Sequence, residues 1–504
     1  MTSRYYDVVV LGTELGPLSA GALLARRGFR VLVVGQGSAE DEYSCYGYRF
    51  VRRPFRLAAA DSPVLRRLLA ELTLGQQFPQ ILVEQEPVYQ VVAPRYRVDV
   101  FADPSHTERE VVRELGLSAG RVRAVLEELG RLNGEIEKLL AGDIVVPPES
   151  FFERREFSRA ELQNPFRTLR GNDPLARAAP DARLEEVIAA PLRSESAAPE
   201  QLSPLARARL MGGWLFGCRA VRGGRDGLRR LLEERIVGQG GDLQPRQRVT
   251  EIAVAKGRVQ GVRIADREDL TGCQVVLTDL SPRELAPHVA VGSWSKRFRE
   301  LVDGAPEPAF GYSVNLGLDR GVIPEGLGGT AFLVFGSGLG ADLVRVERIP
   351  QPDPERAALN VSCIVPAGEL EAIESGALRD ALLDRVRWLV PFFDNHLRVL
   401  HSSFDGVGPL ALGGPAEGEA PAVPHPEEVP RWLIRHPAAD GALGVESLPH
   451  RTGIRGLFLA GGQVVSGLAT EGELLAGWGA ARIAGKMDPG RERLVRSMRS
   501  KVEM

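Results

Sequence analysis

Cysteine and lysine are both scarce in this chain. Four cysteines, Cys45, Cys218, Cys273 and Cys363, are spread through 504 residues, and no two have the C-x-x-C spacing of a redox pair or zinc site. That argues against a disulfide framework and a structural zinc, and fits a reducing cytoplasm. Lysine occurs only at 138, 256, 296, 486 and 501, so arginine carries nearly all the positive charge, a trait of composition rather than of function. Neither sign of charge is in excess. The formal net charge is -3, which leaves no basic field for nucleic acid. No apolar run approaches the 18 or so residues of a membrane span. The N-terminus leads almost directly into a strand, so no secretory leader is expected. A G-x-S-x-G elbow and a Walker A loop are both missing, which removes hydrolase and nucleotide-triphosphatase readings. His396 and His401 lie five apart with only Asp394 nearby, too little for a metal site.

The informative segment is the first forty residues. Asp7 to Leu11 (DVVVL) is a buried-strand run, Gly12 to Gly16 a turn, Pro17 to Arg27 a helix ended by Gly28, and Arg30 to Val34 (RVLVV) a second strand. This βαβ unit has the length of a Rossmann phosphate site. Where G-x-G-x-x-G is expected, the chain reads Gly12, Glu14, Pro17, and the acidic residue expected after the second strand is Gly35. A pyrophosphate sits at such a helix N-terminus because free N–H groups and the helix dipole favour an anion. A carboxylate at position 14 opposes it, since like charges about 4 Å apart cost on the order of 4 kcal/mol at an effective dielectric of 20.

The length allows two or three domains. Val64 to Leu72 carries a helical apolar face, Tyr89 to Val92 and Arg97 to Phe101 flank a Pro94-Arg95 turn, and Val122 to Leu139 forms a long amphipathic helix. Residues 190 to 204, rich in Ser, Ala, Pro and Glu, read as a loop. Gly223-Gly224-Arg225-Asp226-Gly227-Leu228 opens a helix to about Val237. Val249 to Val254, Arg258 to Ile264 and Gln274 to Thr278 then read as a small three-stranded layer. Leu343 to Ile349 and Ala358 to Val365 read as strands and Leu378 to Val390 as a helix. Leu457 to Ala460 is a last strand, followed by Gly461-Gly462 and a helix from about Gly472 to Lys486. The aromatic cluster Tyr43, Tyr46, Tyr48 and Phe50 suits core packing better than ligand contact.

Four blocks in this order resemble the phytoene desaturase-like branch of the FAD-dependent amine oxidase and phytoene dehydrogenase superfamily. They are the βαβ unit, PVYQVVAPRYRVDVFAD at 87 to 103, the GGRDGL-to-Pro282 block, and LFLAGGQVVSGLATEGELLAGWGAARIAG at 457 to 485. The resemblance implies an α/β fold: a Rossmann-like FAD/NAD(P)-binding domain from residues 1–60, 216–290 and 440–487, with an inserted α+β substrate domain from 61–215 and 291–439. It implies FAD as cofactor. Gly12, Thr13 and Gly16 would lie at the pyrophosphate, the Val249 backbone at the adenine, and Gly461 and Gly462 at the flavin. The flavin would do the redox chemistry on a bulky apolar substrate, a polyene or isoprenoid. The family's Gly-Gly-Arg segment is replaced by Gly37-Ser38-Ala39-Glu40-Asp41-Glu42, a further departure beside Glu14, Pro17 and Gly35.

Two functions of different classes therefore stay open. One is an FAD-dependent oxidoreductase of phytoene desaturase type. The other is a flavin-free relative that binds or escorts a lipid, an isoprenoid or a protein, as Rab GDP-dissociation inhibitors do. Residues 488–504 form a basic tail in which Leu494, Val495, Met498 and Val502 share one helical face. It reads either as a solvated terminal extension or as a contact with the inner face of a membrane for an otherwise cytoplasmic protein.

Overall fold

In a computed structural model of the protein, the described residues are 5–167, 181–196, 198–290, 292–305, 307–335, 342–369, 376–412, 418–425, 428–438 and 441–487. The basic tail expected at 488–504 lies outside them. Strand β1 (Val8–Leu11), helix α1 (Leu15–Arg26) and strand β2 (Val31–Val34) form the opening unit. All four residues of each strand are buried, as a parallel sheet covered on both faces requires. The β1 strand sits at the centre of a five-stranded parallel sheet. Val8 pairs with Val31 of β2 on one side and with Val275 of the Val275–Thr278 strand on the other. Asp242–Gln244 extends the sheet beyond β2, and Leu457–Leu459 extends it beyond Val275–Thr278. The sheet is thus assembled from widely separated parts of the chain.

The Val275–Thr278 strand corrects one expectation. It belongs to the parallel sheet, and the antiparallel layer is completed by Thr271–Gly272 instead, which pairs with the Arg258–Ile264 strand. An apolar run of four can serve either sheet, and periodicity does not decide between them. The expected loop at 190 to 204 is also largely helical at its ends. The Ala182–Arg193 helix enters it, and the Pro204–Gly217 helix leaves it from an N-cap at Ser203.

The second sheet is larger and mostly antiparallel. Its central strand, Ala309–Asp319, pairs along its length with Arg356–Val365, which pairs in turn with Leu343–Ile349. Thr330–Val334 follows, and the Tyr89–Ala93 and Tyr96–Val100 hairpin joins through a parallel pair. The two strands of Tyr43 to Phe50 pack on this sheet. Phe50 is fully buried, in T-shaped contact with Tyr43 and stacked on Tyr48, beside Ala358 and Val399. These aromatics are core. The four cysteines are buried free thiols, and burial pushes the Cys45 thiol up to about 12. Among the described residues no helix is long and apolar enough to cross a membrane.

Candidate functional site

The Rossmann sheet presents its strand ends to a cavity of about 310 Å³. That is the small end of the roughly 300–1,000 Å³ usual for ligand sites. Glu14 is the N-cap of α1 and makes no capping hydrogen bond. Its carboxylate turns outward instead. Arg53 donates to one oxygen through Nη1 and Nη2 at 3.1 and 3.0 Å, and Arg225 donates to the other through Nε at 2.9 Å and through Nη2. Arg53 also grips Asp41 at 2.8 Å, and Arg225 reaches Glu473 at 2.5 Å. Asp41, Arg53, Glu14, Arg225 and Glu473 are therefore a chain of alternating charge across the helix N-terminus. Burial alone would raise the Glu14 pKa, but the Arg225 and Arg53 guanidiniums hold it well below the usual carboxylate range. The expected repulsion between Glu14 and a phosphate is thus offset by two arginines, which are themselves spent on it.

Gly12 adopts a left-handed φ of +105°, and a Cβ there would lie 2.2 Å from Asp279 Oδ1. Asp279 follows the Val275–Thr278 strand, and its Oδ1 is buried with no hydrogen-bond partner. Burial, with the Glu14 charge behind it, pushes its carboxyl up to about 8. Thr13 does not point at the cavity's charges; its hydroxyl is 2.7 Å from that of Ser38. Gly16 lies within the first turn of α1, where a Cβ would meet the Ala460 carbonyl at 2.0 Å. That close approach serves helix-to-strand packing. A Cβ on Gly461 would lie 2.7 Å from Gln463 Oε1 and 2.8 Å from Asp279 Cβ, and Gly462 lines the cavity opposite Glu473.

Val249 is held just past the C-terminal end of β2, beside Gln36. Its N–H donates to Gln36 Oε1 at 2.5 Å, and its carbonyl accepts from Gln36 Nε2 at 3.3 Å. The amide of Gln36 thus occupies both polar groups of the backbone that the resemblance assigns to adenine. Beside it, a Cβ on Gly35 would meet the Pro245 carbonyl at 2.3 Å, so the space after β2 is filled by backbone. The residues present do not fit a flavin dinucleotide in the implied pose. Gln36 holds the adenine edge, Asp279 stands under the pyrophosphate turn, and the Glu14 network spans the helix end.

The sequence reading missed Gln36, Asp279, Arg53, Arg225 and Glu473. The groups they meet are mostly remote, from Glu14 39 residues before Arg53 to Glu473 248 residues beyond Arg225, so no local pattern marked them. Of the cavity's lining residues, ten ionise: five arginines and five carboxylic acids. Arg435 is one of these arginines, and burial lowers its pKa against the opposing charges of Glu284 and Asp279. The expected apolar substrate is not matched by this lining. His396 and His401 are engaged separately, with Asp319 at 3.0 Å and the Tyr43 hydroxyl at 2.7 Å.

No family model and no curated protein matches the chain. Solved structures do. An oxidoreductase from Methanosarcina mazei is 17% identical and matches with a TM-score of 0.57, over 94% of this chain and 98% of its own. Putrescine oxidase, solved with putrescine bound, is 15% identical with a TM-score of 0.53 over 96% and 99%. Cyclohexylamine oxidase from Brevibacterium oxydans is 15% identical with a TM-score of 0.52, again over 96% and 99%. At these identities the likeness is one of fold: this chain shares with these solved oxidoreductases and oxidases a Rossmann-type α/β fold with an inserted α+β layer.

Proposed function

We propose that the protein is a flavin-free binding protein on the frame of an FAD-dependent oxidoreductase, holding a small polar ligand in the cavity at the Rossmann strand ends. The observation that carries this is the double pairing of Glu14 by Arg53 and Arg225 at the N-terminus of α1. A bound pyrophosphate would compete for those guanidiniums and leave a buried carboxylate without a partner, which costs several kcal/mol. The clamp of Gln36 on Val249 supports the same reading from the adenine side. Ten ionisable groups on the wall favour a polar ligand over a polyene.

The rival reading, an oxidoreductase of phytoene desaturase type that oxidises a bulky apolar substrate, has the fold and the Gly461-Gly462 approach in its favour. Visible absorption of the purified protein, with an assay for cofactor released on denaturation, separates the two. A colourless, folded protein that releases no flavin and takes up none when FAD is added is the expected outcome. Stoichiometric bands at roughly 370 and 450 nm, the flavin signature, would overturn the proposal and return the oxidoreductase.

A further inference from the structure

We propose a second binding site, for a small phosphate ester, on the large sheet and separate from the Rossmann cavity. The Leu343–Ile349 and Arg356–Val365 strands end side by side, with Ile349 opposite Ala358. The turn that begins at Arg320 is tied to the same place by the Arg320 N–H, which donates to the Glu355 carbonyl at 2.9 Å. Between them lies a cavity of about 310 Å³. Its wall holds Arg320, Arg348, Arg356 and Gln85, with Ile323 and Leu359 on its apolar side, and no carboxylate among the described residues.

Several inward arginines are matched, since Arg53, Arg56, Arg209, Arg225 and Arg345 each meet a carboxylate. Here the matching stops. Arg356 pairs with Asp353 at 3.1 Å and lies over the Tyr48 ring. Arg348 spends one N–H on the Leu327 carbonyl at 2.8 Å and forms no ion pair among the described residues. Burial, and after it the charge of Arg320, lowers the Arg348 pKa. Among the described residues the Arg320 side chain makes neither hydrogen bond nor ion pair and the Gln85 amide, which lies against Gly329, makes no hydrogen bond. Two guanidiniums with no ion pair among the described residues and an amide thus line one open-sided cleft. Like charges held together in this way are uphill unless an anion joins them. Phosphate has the acceptor oxygens and charge that guanidinium forks match, and the Ile323 and Leu359 side of the wall suits a short carbon skeleton.

The test is calorimetric titration of the full chain with glycerol 3-phosphate, with inorganic phosphate, and with glycerol as control. Flotation with phosphatidic acid and phosphatidylcholine vesicles asks whether the phosphate is presented by a lipid. Saturable one-to-one binding of the phosphate ester but not of glycerol is expected, weakened about tenfold, or 1.4 kcal/mol, by Arg320→Gln. Arg320 is exposed and unpaired, so this variant should melt as the unaltered protein does; Arg348→Gln should weaken binding further. Flotation with phosphatidic acid alone, lost in Arg320→Gln, would assign the phosphate to a lipid headgroup. Failure of every phosphate-bearing probe to bind, or equal binding by both variants and the unaltered protein, overturns the proposal.

Discussion

The chemistry of this protein turns on a few side chains whose partners are remote in sequence. Asp279 is the most exposed of them to test. Its carboxyl is raised from 3.8 to about 8, chiefly by burial. The folded state therefore keeps a proton that the unfolded chain releases, and stability must fall as pH rises between those values. Asp279→Asn keeps the shape and removes the titration. Thermal melts at about pH 5 and about pH 9 should show the variant close to the unaltered protein in acid and more stable in base. A parallel pH dependence in both proteins would place the titrating group elsewhere. None of this was legible in the sequence, where Asp279 is one acid after an apolar strand. Glu14 was legible as an anomaly, because the fingerprint fixes what should stand there. Its neutralisation was not, since Arg53 and Arg225 reach it only through the fold.

At the scale of elements the sequence was far more open. The strands β1 and β2, the helix after Gly223-Gly224 and the long Ala119–Leu140 helix all follow their apolar periodicity to within a few residues. What periodicity could not supply was which sheet a short strand joins, and Val275–Thr278 was accordingly misplaced. Helix contacts add a further requirement. The Ala469–Gly485 helix crosses α1 so closely that a Cβ on Gly477 would meet Ser19 Oγ at 2.0 Å and the Gly16 carbonyl at 2.4 Å. Gly16 in turn faces the Ala460 carbonyl. Gly16→Ala should therefore cost about 1–3 kcal/mol through overpacking. Gly120→Ala, in the Ala119–Leu140 helix with open space around it, should gain up to about 1 kcal/mol from helix propensity. Chemical denaturation of both variants checks the pair, and equal effects would refute the packing argument.

Seen whole, the molecule keeps a Rossmann-type architecture while distributing the candidate site among seven places in the chain: Gly12 to Glu14, Gln36, Arg53, Arg225, Val249, Asp279 and Glu473. Reversal at one place leaves the others. Glu14→Gly with Pro17→Gly restores the glycine spacing, but Gln36 still holds Val249 and Asp279 still stands beneath Gly12. The double variant is expected to take up no flavin, as judged by absorbance after incubation with FAD and gel filtration; recovered stoichiometric flavin would show that the helix end alone had been the obstacle. The fold was readable as a whole because four blocks of sequence keep their order. The site was not, because its substitutions compensate one another across the sheet.

The strand order of the parallel sheet also bears on how the protein is made. The β1 strand is synthesised long before its neighbour Val275–Thr278, the outer strand Leu457–Leu459 and the helix that packs on Gly16. At roughly 5–20 residues per second the ribosome takes on the order of half a minute to a minute and a half to supply them. Until then both edges of the apolar β1–α1–β2 unit stay open, because Asp242–Gln244, the partner of β2, also comes later in the chain, and unpaired strand edges of this kind invite intermolecular pairing.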